Sequence, residues 1–123
     1  MTAGPRSDRL RRLRTRAQFL NVARGSRAGR SGFTLQMVPV DGEAPGVGLT
    51  VTKKTGNSPE RNRIRRRLRA ALRACADDLK PQHDYVVVGR RDALTLPFSK
   101  VVSDLSSAIA KVHARRDTGD QTQ

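Results

Sequence analysis

The segment from Ser58 to Pro81 constrains the fold more than any other part of the chain. Its apolar residues recur at steps of three and four, the spacing that places them along one side of an α-helix. Pro59 is well suited to the first helical turn, and Ser58 before it is the predicted N-cap. Pro81 marks the predicted end of the helix. The apolar positions are Ile64, Leu68, Leu72, Cys75 and Leu79.

The other faces of this predicted helix consist mainly of arginine. Positions 61–73 contain seven arginines and no acid, and the nearest acid is Glu60. Like charges four residues apart destabilise an isolated helix by about 0.2–0.5 kcal/mol per pair, so this helix needs a polyanion to relieve the repulsion. A solvated charged face is the alternative, although such faces ordinarily mix both signs. We therefore predict nucleic-acid contacts from Arg61, Asn62, Arg63, Arg65, Arg66, Arg67, Arg69 and Arg73.

The loop that leads into the helix extends this predicted interface. Lys53, Lys54 and Asn57 lie just before the helix, where free backbone N–H groups and a partial positive charge attract phosphate. Gly56 permits a close approach of the backbone to a ligand.

The overall charge agrees with a polyanionic partner. The chain has 25 basic and 11 acidic residues, a formal net charge of +14. Of the basic residues, 18 lie within residues 1–30 and 53–73, whereas the acids gather in connecting segments such as Asp77, Asp78 and Asp84. Twenty of the 25 are arginine, which binds phosphates in a bidentate manner and stacks on bases. Arginine-rich codon usage is the alternative explanation for the bias over lysine, but it does not explain the net charge.

Several other classes of protein are excluded or disfavoured. No apolar run approaches the ~18 residues of a membrane span. Cys75 is the only cysteine, so an intramolecular disulfide is excluded. His83 and His113 lie far from it in sequence, which argues against a metal site formed by the protein. We identify no paired carboxylates and no histidine-based nucleophile, and therefore predict no catalytic residue in this chain.

The remaining elements predict a small two-layer α+β sandwich, in the order α-β-β-α-β-α. Thr15 and Gln18 fit a capping box that opens the first helix, and Gly25 fits its end. A further short strand near Arg27–Ser31 is left open. The predicted strands are Phe33–Val40, Val47–Thr52 and Tyr85–Gly89, and the last helix begins at Pro97.

The chain divides into three predicted regions. Residues 1–14 are a flexible basic arm, residues 15–116 a single RNA-binding α+β domain, and residues 117–123 a disordered tail. No apolar stretch follows the N-terminal arginines, so a secretory signal is excluded; a mitochondrial transit peptide is the weaker alternative. We expect a cytoplasmic location.

Two consecutive segments resemble the RNR signature of the bacterial ribonuclease P protein subunit. They are Val47–Asn57 (VGLTVTKKTGN) and Arg61–Arg69 (RNRIRRRLR). The resemblance extends over roughly residues 8–114 and includes Arg9–Gly25, Tyr85–Arg90 and Leu96–Leu105.

The resemblance implies both a fold and a function. The central helix would form an unusual left-handed crossover between parallel strands of a mixed sheet. The protein would bind the ribonuclease P RNA and the 5′ leader of precursor tRNA, and would have no membrane or small-molecule partner. The RNA would carry out phosphodiester hydrolysis, with Mg²⁺ bound mainly by RNA and phosphates, and the protein would be an accessory subunit.

The resemblance also assigns site residues. Lys53, Lys54, Asn57 and the RNR helix would contact RNA, and Phe19 and Phe33, with Arg16, would line the cleft for the leader. Core packing is the alternative for each phenylalanine. Two positions that are often aromatic in the family are Ala23 and Gln36 here, so we expect weaker stacking on the leader.

Two other functions stay open on the sequence. One is a ribosomal or general RNA-binding protein without a role in cleavage. The other is a protein nuclease, which needs acids spaced to hold metal ions, and no such spacing is present. Reconstitution with a catalytic RNA and precursor tRNA would separate these possibilities.

Overall fold

The structure is a computed structural model that describes the backbone of residues 10–42 and 44–122 and the side chains of residues 10–42 and 44–114. Five strands and three helices make up this part of the chain. Short 3-10 turns at Lys53–Thr55, Ala76–Asp78 and Arg91–Leu94 connect them. The strands are β1 (Arg11–Arg12), β2 (Ser26–Gly29), β3 (Phe33–Pro39), β4 (Gly46–Thr50) and β5 (His83–Gly89). The helices are α1 (Arg16–Ala23), α2 (Ser58–Ala74) and α3 (Phe98–Thr122).

The strands form one mixed sheet in the order β1-β4-β5-β3-β2. β4 is parallel to both β1 and β5, whereas β3 is antiparallel to β5 and β2. Parallel neighbours need a crossover connection, and α2 supplies it between β4 and β5. The predicted α+β class is confirmed, and β2 is the short strand that the sequence left open.

Side chains alternate between the two faces of the sheet and form two apolar clusters. On one face, Phe33, Leu35 and Met37 pack with the apolar stripes of α2 and α3 in the larger core. On the other face, Val22 of α1 packs with Val86 in a smaller cluster. Because side chains alternate along β3 and β5, the sheet has one face that α2 and α3 cover and another that the short α1 covers only in part.

The N-terminal part of the fold begins earlier than predicted. Residues 10–14, assigned to a flexible arm, are part of the fold, because Arg11–Arg12 (β1) pairs with β4 and Leu13 is buried. Arg11 donates a hydrogen bond to the carboxylate of Asp84 at 2.6 Å and another to the carbonyl of Ala44 at 2.7 Å. Asp84 is thus a buried partner on β5 and not part of a connecting segment. Residues 1–9 of the predicted arm lie outside the described residues.

The ends of the helices also differ from the prediction. Asn57, not Ser58, is the N-cap of α2, because its side-chain oxygen accepts the Glu60 backbone N–H at 2.9 Å. α2 ends at Ala74, and Leu79 is buried although it lies beyond the helix. α3 extends to Thr122, past the predicted domain end at residue 116. No helix in the described part of the chain is long and apolar enough to span a membrane.

Candidate nucleic-acid interface

The arginines of α2 divide into an exposed group and a half-buried group. Arg61 donates to the Gly56 carbonyl at 3.0 Å and to the Ser58 hydroxyl at 3.1 Å, and Arg65 donates to Asn62 at 3.1 Å. These contacts orient guanidinium groups without neutralising them, because every acceptor is uncharged. The exposed group is Arg63, Arg66 and Arg73, with Asn62 exposed beside them, and the half-buried group is Arg61, Arg65, Arg67 and Arg69.

Arg67 differs from its neighbours on α2. It was predicted to contact RNA, but its guanidinium donates to the carbonyl of Leu96, just before α3. Its Nε is buried and has no hydrogen-bond partner among the described residues. The structure therefore assigns Arg67 an internal contact between α2 and the segment that leads into α3.

The loop before α2 presents two lysines and uses its asparagine internally. Lys53 and Lys54 are exposed in a 3-10 turn. Asn57 is the N-cap, so its side-chain oxygen is already engaged by the helix. A Cβ at Gly56 would lie 2.6 Å from the Glu60 carboxylate and 2.9 Å from the Arg91 guanidinium, so the loop passes close beneath both groups.

An ion pair that the sequence analysis missed lies over this loop. Arg91 binds both carboxylate oxygens of Glu60, at 3.1 and 2.9 Å, and also donates to the Thr55 carbonyl at 3.2 Å. The hydrogen bond from Arg91, then that from the Asn57 backbone, lowers the pKa of Glu60 to about 2. The only sequence signal for this ion pair is that Glu60 is the single acid among the basic residues of positions 53–73.

Phe19 lies at a cavity of about 300 Å³ beside the β1 edge of the sheet. The ring packs over Gly48, where a Cβ would come within 2.7 Å of it, and the side chain is half-buried. Arg69 and Arg73 of α2 line the same cavity. An aromatic face and two guanidinium groups therefore border one groove, a combination suited to unpaired nucleotides. Arg16 is exposed at the start of α1.

Phe33 does not share this groove. It is 1% exposed and packs in the larger core, on the opposite face of the sheet from Phe19. The assignment of Phe33 to a cleft is therefore corrected to core packing. Residues three apart on a strand point to opposite faces, so Gln36, half-buried, faces the α1 side instead.

Acidic side chains do not converge anywhere in residues 10–42 and 44–114. No three His, Cys, Asp or Glu side chains in these ranges come close enough to hold a metal ion. The donors at the interface are guanidinium, ammonium and amide nitrogens, which suit phosphate.

Comparisons with known proteins identify a family that matches most of the chain. The family model described as Ribonuclease P matches residues 8–113. The ribonuclease P protein component of Brucella suis is 42% identical over 88% of this chain and 84% of its own length. The ribonuclease P protein component of Ruegeria pomeroyi is 44% identical over 83% of this chain and 86% of its own length.

Solved structures show the same fold. A mutant of the Staphylococcus aureus RNase P protein superposes with a TM-score of 0.70 at 24% identity, covering 82% of this chain and 88% of that one. The Thermotoga maritima RNase P protein superposes with a TM-score of 0.67 at 24% identity, covering 76% of this chain and 90% of that one. With a family match over residues 8–113 and relatives above 40% identity, the chain belongs to the ribonuclease P protein component family.

Proposed function

We propose that this chain is the protein subunit of a ribonuclease P ribonucleoprotein and supports the endonucleolytic 5′ maturation of tRNA in the cytoplasm. The observation that carries the proposal is the arginine surface of α2. Glu60 is the only acid between Lys53 and Arg73, and Arg91 already neutralises it. A phosphate backbone is the partner that relieves such repulsion.

The two sides of α2 favour two different RNA partners. Arg63 and Arg66 are exposed next to the Arg91–Leu94 turn, on a groove of about 860 Å³ that suits the structured RNA subunit. Arg69 and Arg73 border the groove with Phe19, which suits the unpaired 5′ leader of precursor tRNA. Aromatic stacking on a base contributes about 1–3 kcal/mol, and Ala23 and Gln36 add no aromatic face here.

The chemistry is proposed to lie with the RNA subunit. Mg²⁺ prefers oxygen ligands, and the nitrogen donors of this interface do not suit it, so RNA and its phosphates would hold the ion. The protein would contribute cationic charge near the phosphates and would orient the leader. It would act as an accessory subunit of the endonuclease.

Reconstitution tests this function. The protein is mixed with a bacterial ribonuclease P RNA and a precursor tRNA, and cleavage at the 5′ end is followed at low Mg²⁺. We expect the protein to raise the cleavage rate and the affinity for leader-bearing precursor. The same rate with and without the protein, or equal binding to ribosomal RNA and ribonuclease P RNA, would favour a general RNA-binding protein.

A further inference from the structure

We propose that Arg91 and Glu60 form a clamp that positions the loop Thr52–Asn57 for contact with RNA. The inference rests on the proposed function and goes beyond it, because neither residue belongs to the predicted RNA contacts. Arg91 lies in the turn after β5, and Glu60 lies in the first turn of α2. The clamp therefore joins two separate elements across the loop.

The loop is held at three consecutive residues. Arg91 donates to the carbonyl of Thr55 at 3.2 Å. Arg61 donates to the carbonyl of Gly56 at 3.0 Å. The backbone N–H of Asn57 donates to Glu60 at 2.9 Å. Three contacts on three residues leave the path of the loop little freedom, and Lys53 and Lys54 project from it.

The close approach at Gly56 shows how near the clamp lies to the loop backbone. A Cβ on this residue would meet atoms of both clamp residues within 3.0 Å. The clamp thus closes directly over the backbone and is more than an ion pair at a distance from the loop.

The charge of Glu60 favours a role for the ion pair in positioning the loop over a direct electrostatic contribution to RNA binding. A carboxylate within a phosphate-binding surface repels phosphate, so electrostatics alone disfavours an acid here. The side chains of Arg91 and Glu60 remain 60% and 30% exposed, and exposed ion pairs add little to global stability. What the pair does supply is a bidentate connection of fixed geometry between the turn and the helix.

The decisive substitution is Glu60→Ala, for which the two interpretations predict opposite signs, whereas both predict weaker binding for Arg91→Ala. Electrostatics alone predicts that Glu60→Ala tightens binding to ribonuclease P RNA. The clamp predicts that it weakens binding, on the order of threefold, as does Arg91→Ala, because the freed lysines must be ordered on binding. The double variant should be no weaker than either single variant, since both remove the same clamp. Asp92→Ala removes a neighbouring acid outside the clamp and should bind as tightly as the parent protein or more tightly.

A measurement without RNA separates positioning from loss of the fold. Trypsin cleavage after Lys53 and Lys54 should accelerate in the free Glu60→Ala and Arg91→Ala proteins at temperatures where both remain folded. Glu60→Gln keeps one side-chain oxygen for the Asn57 N–H but loses the second oxygen that Arg91 binds, so it should restore only part of the RNA affinity lost in Glu60→Ala.

The outcomes decide the two proposals separately. Tighter RNA binding by Glu60→Ala, or unchanged trypsin cleavage in both variants, overturns the clamp. Uniformly faster cleavage at every basic site also overturns it, because that reports a general loss of stability. If the parent protein does not prefer ribonuclease P RNA, the proposed function fails, and the trypsin comparison still decides whether the loop is clamped.

Discussion

At the residue scale, Phe19 is the side chain whose role separates leader binding from core packing. Phe19→Leu keeps most of the apolar volume and removes the aromatic face. We expect a loss on the order of 1 kcal/mol in affinity for leader-bearing precursor, within the range for base stacking. Binding of mature tRNA should not change, and paired titrations of the holoenzyme measure both. An equal loss for both substrates would mean that Phe19 only packs on Gly48.

Arg67 and Arg66 are adjacent on α2, yet we expect the loss of Arg67 to affect stability and the loss of Arg66 to affect RNA binding. Arg67→Ala leaves the half-buried Leu96 carbonyl without its donor and should lower the free energy of unfolding by about 1–3 kcal/mol. Arg66→Ala should change that energy by less than about 0.5 kcal/mol. Instead, the dependence of log affinity on log salt should become less steep by about 0.7–0.9, because one phosphate contact is lost.

Denaturant melts and salt titrations of the two variants make this comparison. An Arg67 variant with full stability and a reduced salt slope would return Arg67 to the RNA interface.

The sequence identified residue types better than it identified the faces on which they lie. The arginines of α2 follow from composition and helical spacing. The resemblance matches both Phe33 and Phe19 to aromatic positions of the leader cleft, whereas the pleat of β3 directs Phe33 into the larger core. Arg67 and Arg66 look alike in sequence, and only the packing of the Leu96 segment distinguishes them.

At the scale of elements, the start of α2 depends on the protonation of Glu60. Its folded-state pKa of about 2 lies below its ordinary value of 4.5. The stability that it contributes is therefore complete above about pH 4.5 and is lost as the pH falls towards 2. We expect hydrogen exchange at Thr55 and Asn57, measured relative to the intrinsic rate at each pH, to accelerate across this window.

The matched variant is Glu60→Gln, which cannot titrate. It should lack the acceleration specific to these two amides. The same acceleration in both proteins would mean that acid acts elsewhere in the fold.

The two-residue strand β1 is held by side-chain contacts as well as by its pairing with β4. Arg11→Ala leaves the buried carboxylate of Asp84 without its cationic partner and the Ala44 carbonyl without a donor. We expect the free energy of unfolding to fall by about 1–3 kcal/mol. Arg12→Ala, on the exposed neighbour, is the control and should stay within about 0.5 kcal/mol. Equal, small effects in thermal melts would show that β1 does not stabilise the sheet.

The sequence could predict the long elements and not this short one. The strands β3 and β5 and the helices carry many periodic positions each. A two-residue strand has no period, and its pairing with β4 depends on Asp84, which lies 73 residues from Arg11. The N-cap of α2 was displaced by one residue because Asn57 and Ser58 are both good caps.

At the scale of the whole molecule, positive charge is concentrated on α2. This helix carries seven arginines and one acid, Glu60, whereas Asp78 lies beyond its end and accepts a hydrogen bond from Ser106 of α3. Such an asymmetry orients the protein as it approaches a polyanion. The resemblance over most of the chain made the family predictable, since fold and charge pattern agree across that length.

The whole molecule should also be unable to cleave RNA by itself. We expect no cleavage of precursor tRNA by the purified protein at any Mg²⁺ concentration, because the sequence supplies no paired acids and no histidine-based nucleophile. A nuclease-treated preparation assayed with labelled precursor checks this. Metal-dependent cleavage that co-purifies with the protein and resists that treatment would contradict it.

The bond between Arg11 and Asp84 also fixes an order of events during synthesis. A ribosome makes the chain from its N-terminus, so the strand that contains Arg11 emerges long before β4 and β5 exist. Until Asp84 leaves the exit tunnel, this segment lacks the carboxylate that it needs in order to dock. The first described strand to be made therefore cannot form its ion pair until residue 84, about two thirds of the way along the chain, has been made and has left the tunnel.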